Sequence, residues 1–198
     1  MKTIHQLRIT LNESKPLIWR RIQVDSSATF LELHIAIQLA MGWTNSHLFS
    51  FMTEGINIEI PTEEGEYFDT ILPEGGRKLN ALQEKIENYF KEAGDEITYL
   101  YDFGDSWEHH VILEKIIPAQ KEIKYPVCIE GNMNCPHEDS GGINGFYEKL
   151  EILNDPEHHE HKEIATWLGE NYDPEFFDID YANRQLTKTT AYLNEMIK

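Results

Sequence analysis

The sequence predicts an α+β fold: a mostly antiparallel sheet with packed helices and a helical C-terminal region. Three observations lead there. Strand-like runs come in adjacent pairs separated by turn residues, the pattern of hairpins. One strongly apolar, capped helix follows the first pair, and from Pro118 onward the composition changes to loops and short amphipathic stretches.

Thr3 to Leu11 alternates, with Leu7, Ile9 and Leu11 on one side and Ile4, Gln6 and Arg8 on a wetter one. Ile18 to Val24 is a second strand, joined to the first by the turn chemistry of Asn12-Glu13-Ser14-Lys15-Pro16. Thr29-Phe30-Leu31-Glu32 has capping-box spacing, and Phe30, Leu33, Ile37 and Met41 recur at helical intervals until Gly42. His47 to Thr53 and Ile56 to Ile60 are strands, and Pro61 through Gly76 is an acidic, glycine-containing loop. Leu79, Leu82, Ile86, Tyr89 and Ala93 fall at steps of three and four, which predicts a second packed helix over Asn80 to Ala93. Ile97 to Phe103 and Trp107 to Ile117 form a hairpin about Gly104-Asp105-Ser106, with Tyr99, Tyr101 and Phe103 sharing a face with Ile97.

Beyond Pro118, Gly141-Gly142 precede an amphipathic helix carrying Phe146, Leu150 and Leu153. Asp155-Pro156 predicts the cap and first turn of a helix ending near Gly169, and Asp173-Pro174-Glu175 repeats that signal. A last helix from about Asp180 presents Leu186, Leu193 and Ile197. The expected organisation is a single domain over 1–198, with a β-rich core and two helices in 1–117 and a loop and helical region in 118–198.

The 198 residues are 40% hydrophobic, enough for a sizeable core. A formal charge of -18 makes the average surface repel phosphate, so direct nucleic-acid binding is not expected. No apolar run approaches a membrane span, and no secretory h-region precedes the first strand. A cytoplasmic location with Cys128 and Cys135 reduced is the expectation.

Two stretches mix carboxylates, imidazoles, glycines and aromatics in a way that core packing does not require: Tyr101 to His110 and Cys135 to Gly142. In the first, Asp102 and Asp105 flank a Phe-Gly turn, with His109 beyond Trp107 on the same strand face. These three could hold a divalent ion or move protons; the plainer reading is two aspartates bonding turn amides. In the second, Glu138 and Asp139 could cap the following helix or join the first group. The Gly104 and Gly141 turns are therefore expected to meet, with His109 or Arg20 beside the carboxylates as the compensating group. Cys128, Cys135 and His137 offer zinc-type donors, and His158, His159 or His161 could add a fourth, but the spacing lacks the usual Cys-x2-Cys knuckle. No cofactor is expected beyond this weak provision for a divalent metal. Trp19-Arg20-Arg21 is the one compact basic-aromatic cluster, suited to a phosphate, a partner's carboxylate or this chain's own acids.

The ordered series Pro16-Leu17-Ile18-Trp19-Arg20-Arg21-Ile22, Leu31 with His34, Met41-Gly42-Trp43, His47-Leu48-Phe49, Tyr101-Asp102-Phe103-Gly104-Asp105 with Trp107 and His109, Cys135-Pro136 with Glu138-Asp139 and Gly141-Gly142, Trp167-Leu168-Gly169, and Asp173-Pro174 with Phe177-Asp178 resembles the plasmid pRiA4b ORF-3-like family. The resemblance runs over nearly the whole chain. It implies a compact α+β fold and a place in plasmid and mobile-element contexts, with no assigned reaction. Ser140 departs from the family pattern, where cysteine is common, and this weakens a thiolate-based metal site. The resolvase label that some relatives carry finds no nucleophilic serine set beside an arginine cluster here.

These features lead to a soluble, non-catalytic binding or protein-interaction module that grips a peptide or protein partner with Trp19, Arg20, Trp43 and Trp107. The alternative is a metal-assisted or acid-base hydrolase-like enzyme using Asp102, Asp105, His109, Glu138 and Asp139.

Overall fold

Eight strands form one sheet in the order β5-β4-β3-β6-β7-β1-β2-β8, where β1 is Thr3–Leu11, β2 Trp19–Asp25, β3 Phe49–Thr53, β4 Ile56–Glu59, β5 Arg77–Asn80, β6 Glu96–Tyr101, β7 Trp107–Pro118 and β8 Val127–Asn132. The computed structural model describes residues 2–61, 72, 74–169 and 172–197. Every neighbouring pair is antiparallel except β4 with β5. The α+β class with a mostly antiparallel sheet is what the structure has. Most of the acidic Pro61 to Gly76 loop falls outside the described residues.

Helix α1, Phe30–Met41, lies against the sheet with every residue buried except Glu32. Such a helix, apolar all round, needs cover on both sides. The sheet supplies one side, and α4 (Ile179–Leu186) and α5 (Thr189–Met196) contact the helix as well. Its ends match the sequence signals: Thr29 and Glu32 close a reciprocal capping box, and Gly42 ends the helix at φ 90°. Helices α2 (Gly142–Leu153) and α3 (His161–Leu168) pack on each other.

The second packed helix expected over Asn80 to Ala93 does not form. In its place are the end of β5, turns, and a short 3-10 turn at Ile86–Asn88. The segment's polar groups are engaged elsewhere: Ala81 O and Glu84 O accept from Leu31 N and Phe30 N, the open amides at the start of α1, and Asn80 Oδ1 accepts from Leu82 N at 2.9 Å. These carbonyls point at α1, and the segment's own backbone bonds close only isolated turns such as Glu84 N to Asn80 O and Phe90 N to Ile86 O. Of the apolar period, Ile86 is buried and Leu79, Leu82 and Tyr89 pack half-buried against the core, whereas Ala93 is exposed; Ala81 and Phe90, which lie outside the period, are buried too.

The C-terminal part differs in four places. β8 was not expected; it pairs with β2 and brings residues after 118 into the sheet. Asp155 accepts from Glu157 N in a local turn, so α3 starts only at His161. Asp173 likewise accepts from Glu175 N, and the cap that does start α4 is Asp178, which accepts from Tyr181 N at 2.8 Å. The single last helix is two, α4 and α5, and Ile197 lies beyond the second at 52% exposure.

Candidate functional site

At one end of the sheet, Phe49 pairs with Tyr101 and Tyr101 with Trp107, so the start of β3 and the β6–β7 turn share one rim. The sequence forces a tight turn after Tyr101: Asp102 and Ser106 adopt left-handed φ of 57° and 54°. Aspartate tolerates that conformation because its side chain bonds locally. Asp102 Oδ1 accepts from Gly104 N at 2.9 Å and Asp105 N at 3.3 Å. Its other oxygen faces His47 Nδ1 at 3.6 Å. The aspartate is thus both the turn-former and a member of a polar cluster.

The Cys135 to Gly142 loop comes to the same rim. Asp105 Oδ2 accepts from Gly141 N at 2.9 Å, and a Cβ on Gly142 would stand 2.5 Å from Asp105 O, so the contact between the turns requires glycine there. Glu138 does not cap α2, whose cap position is Gly141 with no side-chain bond to the first turn. Its carboxylate accepts from Tyr101 Oη–H and, on the other oxygen, from Thr44 N at 2.7 Å and Thr44 Oγ1–H at 2.6 Å. Tyr101 Oη in turn accepts from Ser46 N at 2.9 Å and His47 N at 3.3 Å. Partial burial and the Glu138 bond hold the Tyr101 phenol well above its ordinary pKa, as a proton donor to that carboxylate.

This network fixes the loop before β3 and places His47 between two acids. His47 Nε2 lies 3.2 Å from exposed Asp139 Oδ1. One ligand atom from each of His47, Asp102 and Asp139 falls within 4.8 Å of the other two. The two turns therefore meet, and the compensating group beside them is His47, in place of His109 or Arg20. Local sequence gave no signal for His47 beyond its place in the His47-Leu48-Phe49 motif, because its role depends on the Tyr101 and Glu138 bonds.

The other candidates lie apart from this cluster. His109 is fully buried, with Nδ1–H donating to Trp107 O at 3.0 Å, and its ring packs against Trp43 and Tyr99. Trp43 and Trp107 are core residues, 4% and 1% exposed; Trp43 reaches a cavity wall and Trp107 does not. Half-buried Trp19 is covered by the guanidinium groups of Arg8 and Arg21. Arg21 pairs with Glu114 and Glu130, the chain's own acids. Arg20 is buried: it donates to Ala40 O at the C-terminal end of α1, to Trp19 O and Asn132 O, and to Cys135 Sγ at 3.0 Å. A cation there complements the helix dipole. Cys128 and Cys135 are free, buried thiols whose pKa values burial raises, Cys128 to about 11. Among the described residues, the trios with ligand atoms close together are His47, Asp102, Asp139 and the surface group His158, His159, Glu160; neither contains a cysteine or His137.

Next to the cluster, beyond Thr44 and Glu138, lies a cavity of about 500 Å³ whose lining includes Arg20, Trp43, Trp167, Phe176, Phe177 and Tyr181. Phe176, Tyr181 and Trp167 are 59%, 49% and 39% exposed. Among the described residues no helix is long and apolar enough to cross a membrane.

Known proteins resemble the chain throughout. A protein named uncharacterized protein y4hQ, from Sinorhizobium fredii, is 32% identical over 191 residues, 96% of this chain and 93% of that protein. The crystal structure of MM3350 from Methanosarcina mazei, described as a protein of unknown function, superposes with a TM-score of 0.74 at 38% identity, covering 91% of this chain and 97% of that one. The model of the plasmid pRiA4b ORF-3-like protein family matches residues 3–181, and the chain belongs to that family.

Proposed function

We propose that the chain is a non-catalytic binding module that takes a segment of a protein partner into the cavity beside Trp167, Phe176 and Tyr181. The observation that carries this reading is three large exposed aromatics lining one cavity, since aromatics at the mouth of a concavity supply most of the binding energy in such contacts. Of the residues that the sequence suggested, Arg20 and Trp43 line this cavity from beneath, while Trp19 and Trp107 are not part of it. A net charge of -18 favours a segment with an apolar anchor flanked by Lys or Arg, and the same charge opposes nucleic acid.

An array of anchor-plus-basic peptides read by fluorescence anisotropy tests this. Binding should weaken by about thirtyfold in Phe176→Ala or Trp167→Ala, the scale of a hot-spot residue. If no such peptide binds more tightly than about 1 mM, or both variants bind like the parent, the reading fails. The meeting of His47, Asp102 and Asp139 favours a second reading, acid-base or metal-assisted hydrolysis, with Asp105 and Glu138 as positioning residues. Turnover abolished in His47→Gln would support it.

A further inference from the structure

His47, Asp102 and Asp139 bring two carboxylates and an imidazole within 4.8 Å in a chain of charge -18, an arrangement that a bound cation would stabilise. The His47–Asp139 spacing matches a metal's inner shell, and Asp102 Oδ2 lies 3.6 Å from Nδ1 of the same ring. Bonds of about 2.1 Å set neighbouring ligand atoms about 3.0 Å apart in an octahedron and about 3.4 Å apart in a tetrahedron. His47 Nε2 and Asp139 Oδ1 are 3.2 Å apart. A second observation is independent of that spacing: His47 Nε2 is shielded from solvent, and no group among the described residues makes a hydrogen bond to it. Asp139 Oδ1 stands 3.2 Å from it without hydrogen-bond geometry, so the nitrogen lacks the bond that burial ordinarily demands.

We propose that His47, Asp102 and Asp139 bind a divalent transition ion. The donor set selects its class. One imidazole with two carboxylates suits Mn²⁺, Fe²⁺ or Zn²⁺ better than Mg²⁺ or Ca²⁺, which prefer all-oxygen shells. The site is also pre-organised. The Asp102 side chain is held by Gly104 N, and the His47 backbone by Tyr101 Oη. Exposed Asp139 forms the open side, which leaves room for water or a ligand oxygen at the remaining positions. The proposal does not rest on the partner-binding reading and would survive its failure.

The test uses the full-length chain, stripped with chelator and titrated with Mn²⁺ by electron paramagnetic resonance and with Zn²⁺ by calorimetry. The expected result is one tight ion per chain, weakened at least about tenfold in Asp139→Asn and in His47→Gln. Asp139 is exposed, so Asp139→Asn should keep the parent melting temperature without metal, and this separates lost ligation from lost folding. A His158→Ala/His159→Ala double variant should leave the tight ion in place, because that trio is the competing surface site. The proposal is overturned if the parent takes up no ion below about 1 mM. It is also overturned if Asp139→Asn and His47→Gln bind as the parent does, or if only the His158/His159 variant loses the ion.

Discussion

Acidification from about pH 7.5 to about pH 5 should destabilise the fold by roughly 4 kcal/mol, chiefly through two buried histidines. His34, on α1, is fully buried; Nε2–H donates to Asn45 Oδ1 at 2.5 Å, and Nδ1 accepts from Tyr99 Oη at 2.8 Å, which itself accepts from Gln38 Nε2. That chain of bonds suits the neutral ring, and burial lowers the pKa to about 3. His109, equally buried among aromatic rings, is lowered to about 4, again mainly by burial. The unfolded value of each is about 6.5, so between these limits the unfolded chain takes up protons that the folded chain refuses. Stability is therefore fully present above about pH 6.5 and is lost as the pH falls toward the folded values. At pH 5 each ring is about 1.5 pH units below its unfolded pKa, at about 1.36 kcal/mol per unit, or roughly 2 kcal/mol apiece. Burial lowers His5 and His137 as well, and they act in the same direction. The window stays above the range where most carboxylates take up protons, so relief of acid-acid repulsion does not cancel the effect. Urea denaturation across the window, with the slope m held common, gives the stability directly. A His34→Gln variant should show a flatter pH dependence even where it is less stable overall. A change below about 1 kcal/mol in the parent, or a gain on acidification, would refute the argument.

Trp107→Ala should cost about 3 to 5 kcal/mol and lower the melting temperature by roughly 6 to 20 °C, since the indole is 1% exposed in the core; an unchanged melting curve would contradict this. Gly142→Ala places a methyl 2.5 Å from Asp105 O at a φ of 69°, so it should cost more than about 1 kcal/mol and shift the His47 ring resonances; a silent spectrum would mean that the two turns do not touch. Thr29→Ala removes half of the capping box and should cost about 1 kcal/mol, read by urea midpoint. Cys128 and Cys135 should resist an aromatic disulfide reagent at pH 8 and react at once in denaturant; prompt labelling of the native chain would show that the thiols are reachable.

Much of the sheet was legible in the sequence because strand periodicity and turn chemistry are local. The β1–β2 and β6–β7 hairpins and the helix from Phe30 to Met41 follow from alternation, a capping box and a closing glycine, each within a few residues of its partner. The helical period over Asn80 to Ala93 misled because periodicity reports which residues face the core, and a looped segment can satisfy that as well as a helix can. What decided between them was the demand of α1 for carbonyls at its start, a contact across some fifty residues. The same limit held at the site. Composition drew attention to Asp102, Asp105, Glu138 and Asp139, since such a mixture at glycine turns is not what packing selects. Only the tertiary structure brought in His47, removed His109 to the core, and put Trp43 and Trp107 beneath the surface they were expected to form. The sequence by itself determined the elements and the acid-rich turns, through interactions between near neighbours. Which groups face one another across those turns was left to long-range hydrogen bonds, such as Glu138 to Thr44 and Tyr101 and Asp105 to Gly141, whose partners no local pattern encodes.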